Sequence, residues 1–390
     1  MKEVGLAVVT YKDNFGSALQ TYATQRVIEK LGYRTGIFDI SNIHRAIKLR
    51  KVKYYAGRIF QPDELRYLLD MIKSHTGKNA RSNDYANNMK IRHALNESFS
   101  QEHLKFMDRK NSWDEISEQS RTCDHVIVGS DQLWRPSNIA GGYFTLEFVP
   151  DQVCKTAYST SFGVSSVPTG QRKHAQRFLN RIEYISVRED TGRAIVKELT
   201  GRDVPVVCDP AMLLNAQDWM SIQREEPMTE GKYILCYFLG DNPGHRAFAK
   251  RLKGATGYRI IGLLHGATYI PADDVFADEA PYDIGPSEFV NLIRNAAFIC
   301  TDSFHGTVFS ILNGKRFFTF RRFDDTSGFS TNDRLHTLLN WTGLAGRMLY
   351  GTENAEDCVD LKIEYADVFK RIEEKREGSL KYLTDSLRRE

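Results

Sequence analysis

The sequence predicts an α/β protein built from two doubly wound, Rossmann-like domains. Three observations lead there. The chain opens on a continuous apolar run, Val4 to Val9, followed by a polar turn and then by apolar residues at helical spacing. The same strand–turn–helix plan starts again after residue 230. At 390 residues the chain is also longer than one core usually organises.

The elements follow in order. Residues 4–10 read as a buried parallel strand. The turn Tyr11 to Gly16 leads into a helix carried by Leu19, Tyr22, Ala23, Val27 and Leu31, which Gly32 is placed to end. Residues 36–40 supply the next strand, completing one β-α-β unit. In the second half, Tyr233 to Leu239 is a strand, Gly240 to Gly244 a turn, and Phe248 and Leu252 mark a helix. Gly257 breaks that helix, and Arg259 to Leu264 is a second strand. These openings divide the chain into domains at 1–215 and 216–360, with a boundary near 210–230. A charged final helix in 361–390 is expected to pack back on the first domain. Residues 44–120 are polar and poor in strand signals, and read as a helical insertion in that domain.

Composition excludes several classes. A hydrophobic content of 41% is too high for a disordered chain, and a net charge of +3 does not imply nucleic-acid binding. The first apolar run is too short for a signal peptide, and no run approaches the roughly 20 apolar residues of a membrane span. A cytoplasmic protein is expected. The six cysteines show no CxxC spacing and read as buried, reduced thiols, with no obligatory metal. Segment 44–53 carries Arg45, Lys48, Arg50, Lys51 and Lys53 without an acid. It is either a solvated helix face or a dock, at the inner membrane face, for anionic lipid head groups or a phosphorylated lipid-linked acceptor.

Candidate chemistry concentrates at strand-to-helix turns. In 298–314, Phe298 to Thr301 ends a strand, Asp302 or Ser303 is a suitable N-cap, and Val308, Ile311 and Leu312 continue a buried helix. His305 and Gly306 therefore fall at a helix start on the carboxyl edge of a sheet, where anions bind and glycine permits close approach. Arg188 follows a strand and can clamp a phosphate or carboxylate in parallel hydrogen bonds, or pair with Glu189 at a surface turn. In 124–136, Ser130, Asp131 and Gln132 suit hydroxyl recognition and Trp134 offers a face for a sugar ring, although Asp131 is equally a helix-cap residue. Asn14, Gly16 and Ser17 form a turn able to hold an anion or acceptor. Arg334 closes a glycine-bearing loop, Ser327 to His336, suited to folding over a ligand.

Together these segments resemble the polysaccharide pyruvyl transferase family. The matching pieces are Asn14-Phe-Gly-Ser-Ala-Leu-Gln20, Gly129-Ser-Asp-Gln-Leu-Trp134, Ser186-Val-Arg-Glu189, Asp209-Pro210 and Thr301-Asp-Ser-Phe-His-Gly306, with Ser327 to Arg334 fitting more loosely. The resemblance runs from about residue 3 to 345 apart from the insertion. It implies a GT-B-like pair of domains facing a cleft. It also implies transfer of pyruvate from phosphoenolpyruvate, as co-substrate, to two sugar hydroxyls as a ketal, with phosphate released. On that reading Arg188, Ser303, His305, Gly306 and Arg334 bind the donor. Asn14, Gly16, Ser17, Gln20, Ser130, Gln132 and Trp134 face a saccharide acceptor, in one version lipid-linked. His305 serves as acid or phosphate ligand, and Asp131 as base or hydroxyl orienter. Two rival readings predict differently. A nucleotide-sugar glycosyltransferase needs an acid on the ribose, for which Glu288 and Asp302 are the candidates. A non-catalytic glycan- or protein-binding scaffold needs only the basic surface.

Overall fold

A computed structural model describes residues 2–10, 14–57, 83–263, 269–323 and 332–388. Two all-parallel sheets of five strands lie among them. The first contains β1 (Glu3–Ala7), β2 (Arg34–Ile37), β3 (His125–Val128), β4 (Cys154–Thr160) and β5 (Tyr184–Val187) in the order β2-β1-β3-β4-β5. The second contains β6 (Tyr233–Tyr237), β7 (Arg259–Leu263), β8 (Phe298–Thr301), β9 (Arg316–Phe320) and β10 (Met348–Leu349) in the order β7-β6-β8-β9-β10. The two orders are the same. In each sheet the winding reverses between the first and third strands, leaving a crevice at their carboxyl ends where open α/β sheets bind ligands.

The helices of two turns or more are α1 (Phe15–Lys30), α2 (His44–Ala56), α3 (Asn83–His103), α4 (Trp113–Ser120), α5 (Thr169–Asn180), α6 (Asp190–Thr200), α7 (Pro243–Thr256), α8 (Pro286–Asn295), α9 (Phe304–Leu312), α10 (Asp333–Thr342) and α11 (Tyr365–Leu387). The strands are short and almost wholly buried, as expected of sheets covered on both faces. Helix α1 is buried along most of its length because the first sheet lies on one side and the second domain on another. The Phe15 ring stacks on Phe289 of α8 at 4.8 Å. Apolar residues of both domains, from Leu6 and Leu19 to Leu235 and Phe309, form one continuous core across this junction.

The insertion is helical where described and does more than coat the first domain. Arg92 of α3 lies 4.1 Å over the Phe15 ring, and Leu95 packs beside Gly285 of the second domain, so α3 bridges the two halves. Helix α11 returns to the first domain. Lys375 Nζ donates to the Val206 carbonyl at 2.7 Å, Arg376 Nε to that of Met212 at 2.8 Å, and Ser379 Oγ accepts from Cys208 N at 3.1 Å. The six cysteines form no disulfide, and all but Cys154 are buried. Among the described residues no helix is long and apolar enough to cross a membrane.

Candidate active site

The two crevices face each other, and the turns that build them are tied together. Asn14 accepts from Ser17 N at 3.1 Å and caps α1. Ser17 Oγ then donates to Asp131 Oδ2 at 2.9 Å, linking the turn after β1 to the turn after β3. Gln20, fully buried, strengthens the same link. Its Oε1 accepts from Ser130 N at 3.0 Å and its Nε2 donates to Ser17 O at 3.1 Å. Asp131 itself has φ 84°, a left-handed backbone that costs a non-glycine residue energy and recurs at functional turns.

Arg188 leaves the end of β5 and is almost wholly buried. Its Nη2 lies 3.0 Å from Asp209 Oδ2 and also donates to Ser130 Oγ. Its Nη1 lies 4.0 Å from Asp131 Oδ1. From the second domain, His305 enters on the first turn of α9, with Nε2 3.5 Å from the same Asp209 oxygen, longer than a well-formed hydrogen bond. Asp209 thus joins an arginine of one domain to a histidine of the other. Burial works to raise its carboxyl, but Arg188 first and His305 next outweigh this and bring it down to about 2.

Arg334 completes the group. Its guanidinium carbon is 5.5 Å from the Phe304 ring and that of Arg188 is 4.7 Å from the same ring. Burial, followed by repulsion from Arg188, lowers Arg334 to about 9. Two buried guanidiniums this close are costly without an anion between them. Nε and Nη1 of Arg188, Nε of Arg334 and Nε2 of His305 are buried and find no hydrogen-bond partner among the described residues. Beside them Glu189 is driven up to about 7 by burial, against the pull of Arg334 and Arg188. The arrangement offers these buried donors, unpaired among the described residues, to a small anion, with an imidazole and a carboxylate nearby.

Several expectations need correction. Trp134 is not a sugar platform. It is wholly buried, packs on Phe162 and Phe178, and donates its indole N–H to Phe144 O at 3.0 Å. Of the two N-cap candidates, Ser303 is the cap, since its Oγ accepts from Gly306 N at 3.3 Å. Ser303 N is itself bound to Thr301 Oγ1 at 3.0 Å, so neither amide is free for an anion. Gly306 is small for an internal reason: a Cβ there would lie 2.5 Å from Thr301 Oγ1. Gln132 turns aside, its side chain lying against Gly163, with Oε1 accepting from Arg135 at 3.5 Å. Arg334 sits in the first turn of α10 and not in a loop. Residues Ser327 to Thr331, and Tyr11 to Asp13 of the first turn, lie outside the described residues.

Neither candidate ribose acid is placed for that role. Glu288 Oε2 accepts from Gly285 N at 2.9 Å in the cap of α8. Asp302 accepts from Leu239 N at 2.6 Å and Gly240 N at 2.9 Å, tying β6 to β8. Two residues central to the site were not singled out as functional by sequence reasoning. In the sequence Asp209 stands only among the matching pieces, and Glu189 as a surface-turn partner of Arg188. Their only sequence signal was membership of the matching segments. Gly16 packs on the His305 ring, where an added Cβ would lie 2.2 Å from Nδ1.

A cavity of about 510 Å³ opens beside α1, between the carboxyl ends of β1 and β2 and the insertion helix α3. Its polar lining includes Thr10, Asp39, Ser41, Asn96, Glu97 and Ser100. Ala18, next to Ser17, belongs to the same wall.

Facing crevices on paired sheets of identical winding, with buried arginines from both domains, define an α/β protein of two Rossmann-like domains. The chain belongs to the polysaccharide pyruvyl transferase family, whose sequence model matches residues 14–324. No functionally curated protein matches the sequence. Among solved structures, the chain is similar to the glycosyltransferase SnogD from Streptomyces nogalater, at 11% identity over 99% of both chains and a TM-score of 0.43. It is similar at 12% identity to the UDP-GlcNAc 2-epimerase of Methanocaldococcus jannaschii, over 93% of both chains with a TM-score of 0.46. It is also similar to Acinetobacter baumannii MurG, at 10% identity, 99% and 98% coverage and a TM-score of 0.41. Likeness at this level says nothing of substrate.

Proposed function

We propose that this protein transfers the pyruvyl group of phosphoenolpyruvate to two hydroxyls of one saccharide, forming a cyclic ketal and releasing phosphate. The observation that carries the reading is the set of buried donors on Arg188, Arg334 and His305 that find no partner among the described residues. Phosphoenolpyruvate presents a phosphate and a carboxylate to such donors, and both accept in-plane pairs of hydrogen bonds from guanidinium.

The reaction needs proton management more than covalent catalysis. A proton added to the methylene carbon makes the enol carbon electrophilic. One sugar hydroxyl adds there, the carbon–oxygen bond to phosphate breaks, and the second hydroxyl closes the ring. Of the two hydroxyl protons, one balances the new methyl group and the other leaves with phosphate. On this reading His305, beside Asp209, supplies a proton or holds the phosphate. Asp131, 4.0 Å from Arg188 Nη1, orients or deprotonates a hydroxyl. The cavity beside α1 takes the acceptor: its hydroxyl, amide, carboxylate, imidazole and guanidinium lining suits a hydroxyl-rich sugar, and it begins one residue from Ser17.

The test is mass spectrometry of a panel of saccharides after incubation with protein and phosphoenolpyruvate. One saccharide should gain the mass of pyruvate less water, with stoichiometric phosphate. Transfer of a sugar unit from a nucleotide sugar, with no such gain, would overturn the proposal.

A further inference from the structure

The outer face of α2 joins charge to exposed apolar surface in a way the site does not use. Its inner side is anchored: Ile47 and Tyr55 are buried, Lys51 Nζ donates to Asn138 at 3.0 Å, and Arg50 lies 3.9 Å over the Trp113 ring. The opposite side is bare. Arg45, Lys48 and Lys53 are exposed and form no ion pair among the described residues. Between them Leu49 is 51% and Val52 63% exposed. At 3.6 residues per turn, Arg45, Lys48, Leu49, Val52, Lys53 and Ala56 fall within an arc of about 140°. The helix contains no acid, so nothing on it offsets the three cations.

We propose that this face docks the protein on an anionic phospholipid surface. A solvated helix face accounts for the lysines and arginine but not for two large aliphatic side chains held out among them. A basic helix face that also carries exposed aliphatic side chains, lying in the headgroup region, accounts for both. Its cations meet lipid phosphates, and Leu49 and Val52 enter the boundary with the acyl chains. The position fits such a dock. His44, the first residue of α2, lines the cavity assigned to the acceptor, so the docked face and the cavity share one end of the helix. A saccharide carried on a lipid would reach that cavity from the membrane side. The docking itself does not depend on the ketal chemistry.

Co-sedimentation of the full chain with phosphatidylcholine vesicles, with and without phosphatidylglycerol, tests the proposal without any turnover assay. Binding is expected only to the phosphatidylglycerol vesicles and should weaken as salt is raised. Each cation near such a surface is worth roughly fivefold in affinity, so Arg45→Glu, Lys48→Glu and Lys53→Glu together should cost at least on the order of 100-fold. Leu49→Ser with Val52→Ser should weaken the binding that persists at high salt. All five side chains are exposed, and unchanged melting temperatures verify that the variants fold. Equal partitioning of wild type and the triple variant, or binding to soluble polyanions but not to vesicles, overturns the proposal. Vesicle binding without ketal formation would leave this inference standing and remove only the proposed reaction.

Discussion

The contact between Gly16 and His305 gives a test of the site that needs no substrate. A Cβ on Gly16 would lie 2.2 Å from Nδ1, 2.4 Å from Cγ and 2.7 Å from Cβ of His305. Ordinary contact begins near 3.4 Å, so the shortfall is about 1.2 Å at the ring. The root of the side chain is also too close, so rotating the imidazole alone does not relieve the clash. Gly16→Ala must push the ring off its seat beside Asp209 or part the two domains. Overpacking of this kind costs ~1–3 kcal/mol, while alanine in place of glycine within a helix returns up to ~1 kcal/mol. A net loss of about 1–2 kcal/mol is expected by urea denaturation. In a His305→Ala background the two shortest contacts vanish and only the Cβ contact remains. There the loss should shrink by at least ~1 kcal/mol, which a double-mutant cycle measures directly. The same cost in both backgrounds, within ~0.3 kcal/mol, would refute the placement of His305 against α1. Once an acceptor is identified, Gly16→Ala should also lower turnover by about 100-fold, as misplacement of a catalytic group by 1 Å does.

Three further outcomes follow from the same geometry. Arg188→Ala and Arg334→Ala should each weaken phosphoenolpyruvate binding by roughly 10- to 100-fold, the cost of one charge-assisted contact. Titration calorimetry measures this, and unchanged affinity in both variants would remove the donor site. Glu189 is held at about 7, above its ordinary 4.5, so its contribution to stability is full below pH 4.5 and is lost as pH rises through 7. At about 1.4 kcal/mol per unit, wild type should lose up to ~3 kcal/mol from this group between pH 4.5 and pH 8, and Glu189→Gln should flatten that fall in denaturation measured at both pH values. Trp134→Phe should lower stability by ~1–3 kcal/mol and leave the acceptor KM unchanged, as befits a core residue. A selective rise in KM would return Trp134 to the acceptor site.

Much of the architecture was legible because it rests on local patterns. The apolar runs at 4–10 and 233–239 mark strands that lie at 3–7 and 233–237. Hydrophobic spacing after Ser303 placed His305 on the first turn of a helix at a sheet edge, and α9 has that form. What escaped was everything decided by packing between distant segments. Helix α1 looked amphipathic from five positions, yet the second domain buries more of it than its own periodicity marks. The basic stretch on α2 was visible as composition. Which of its cations face outward depends on Ile47 and Tyr55 finding the core.

The order of residues along the chain determined the strands, the turns that end them, and therefore which side chains stand at the carboxyl edges of two sheets. Only the tertiary structure decided what those side chains do. It folded Trp134 into the core, bound the Ser303 and Gly306 amides internally, and drew Asp209 between Arg188 and His305. The physical reason is range. Periodicity and capping act over a few neighbouring residues, whereas a cluster joining positions 188, 209 and 305 forms only when both sheets are packed, and no local pattern encodes that distance.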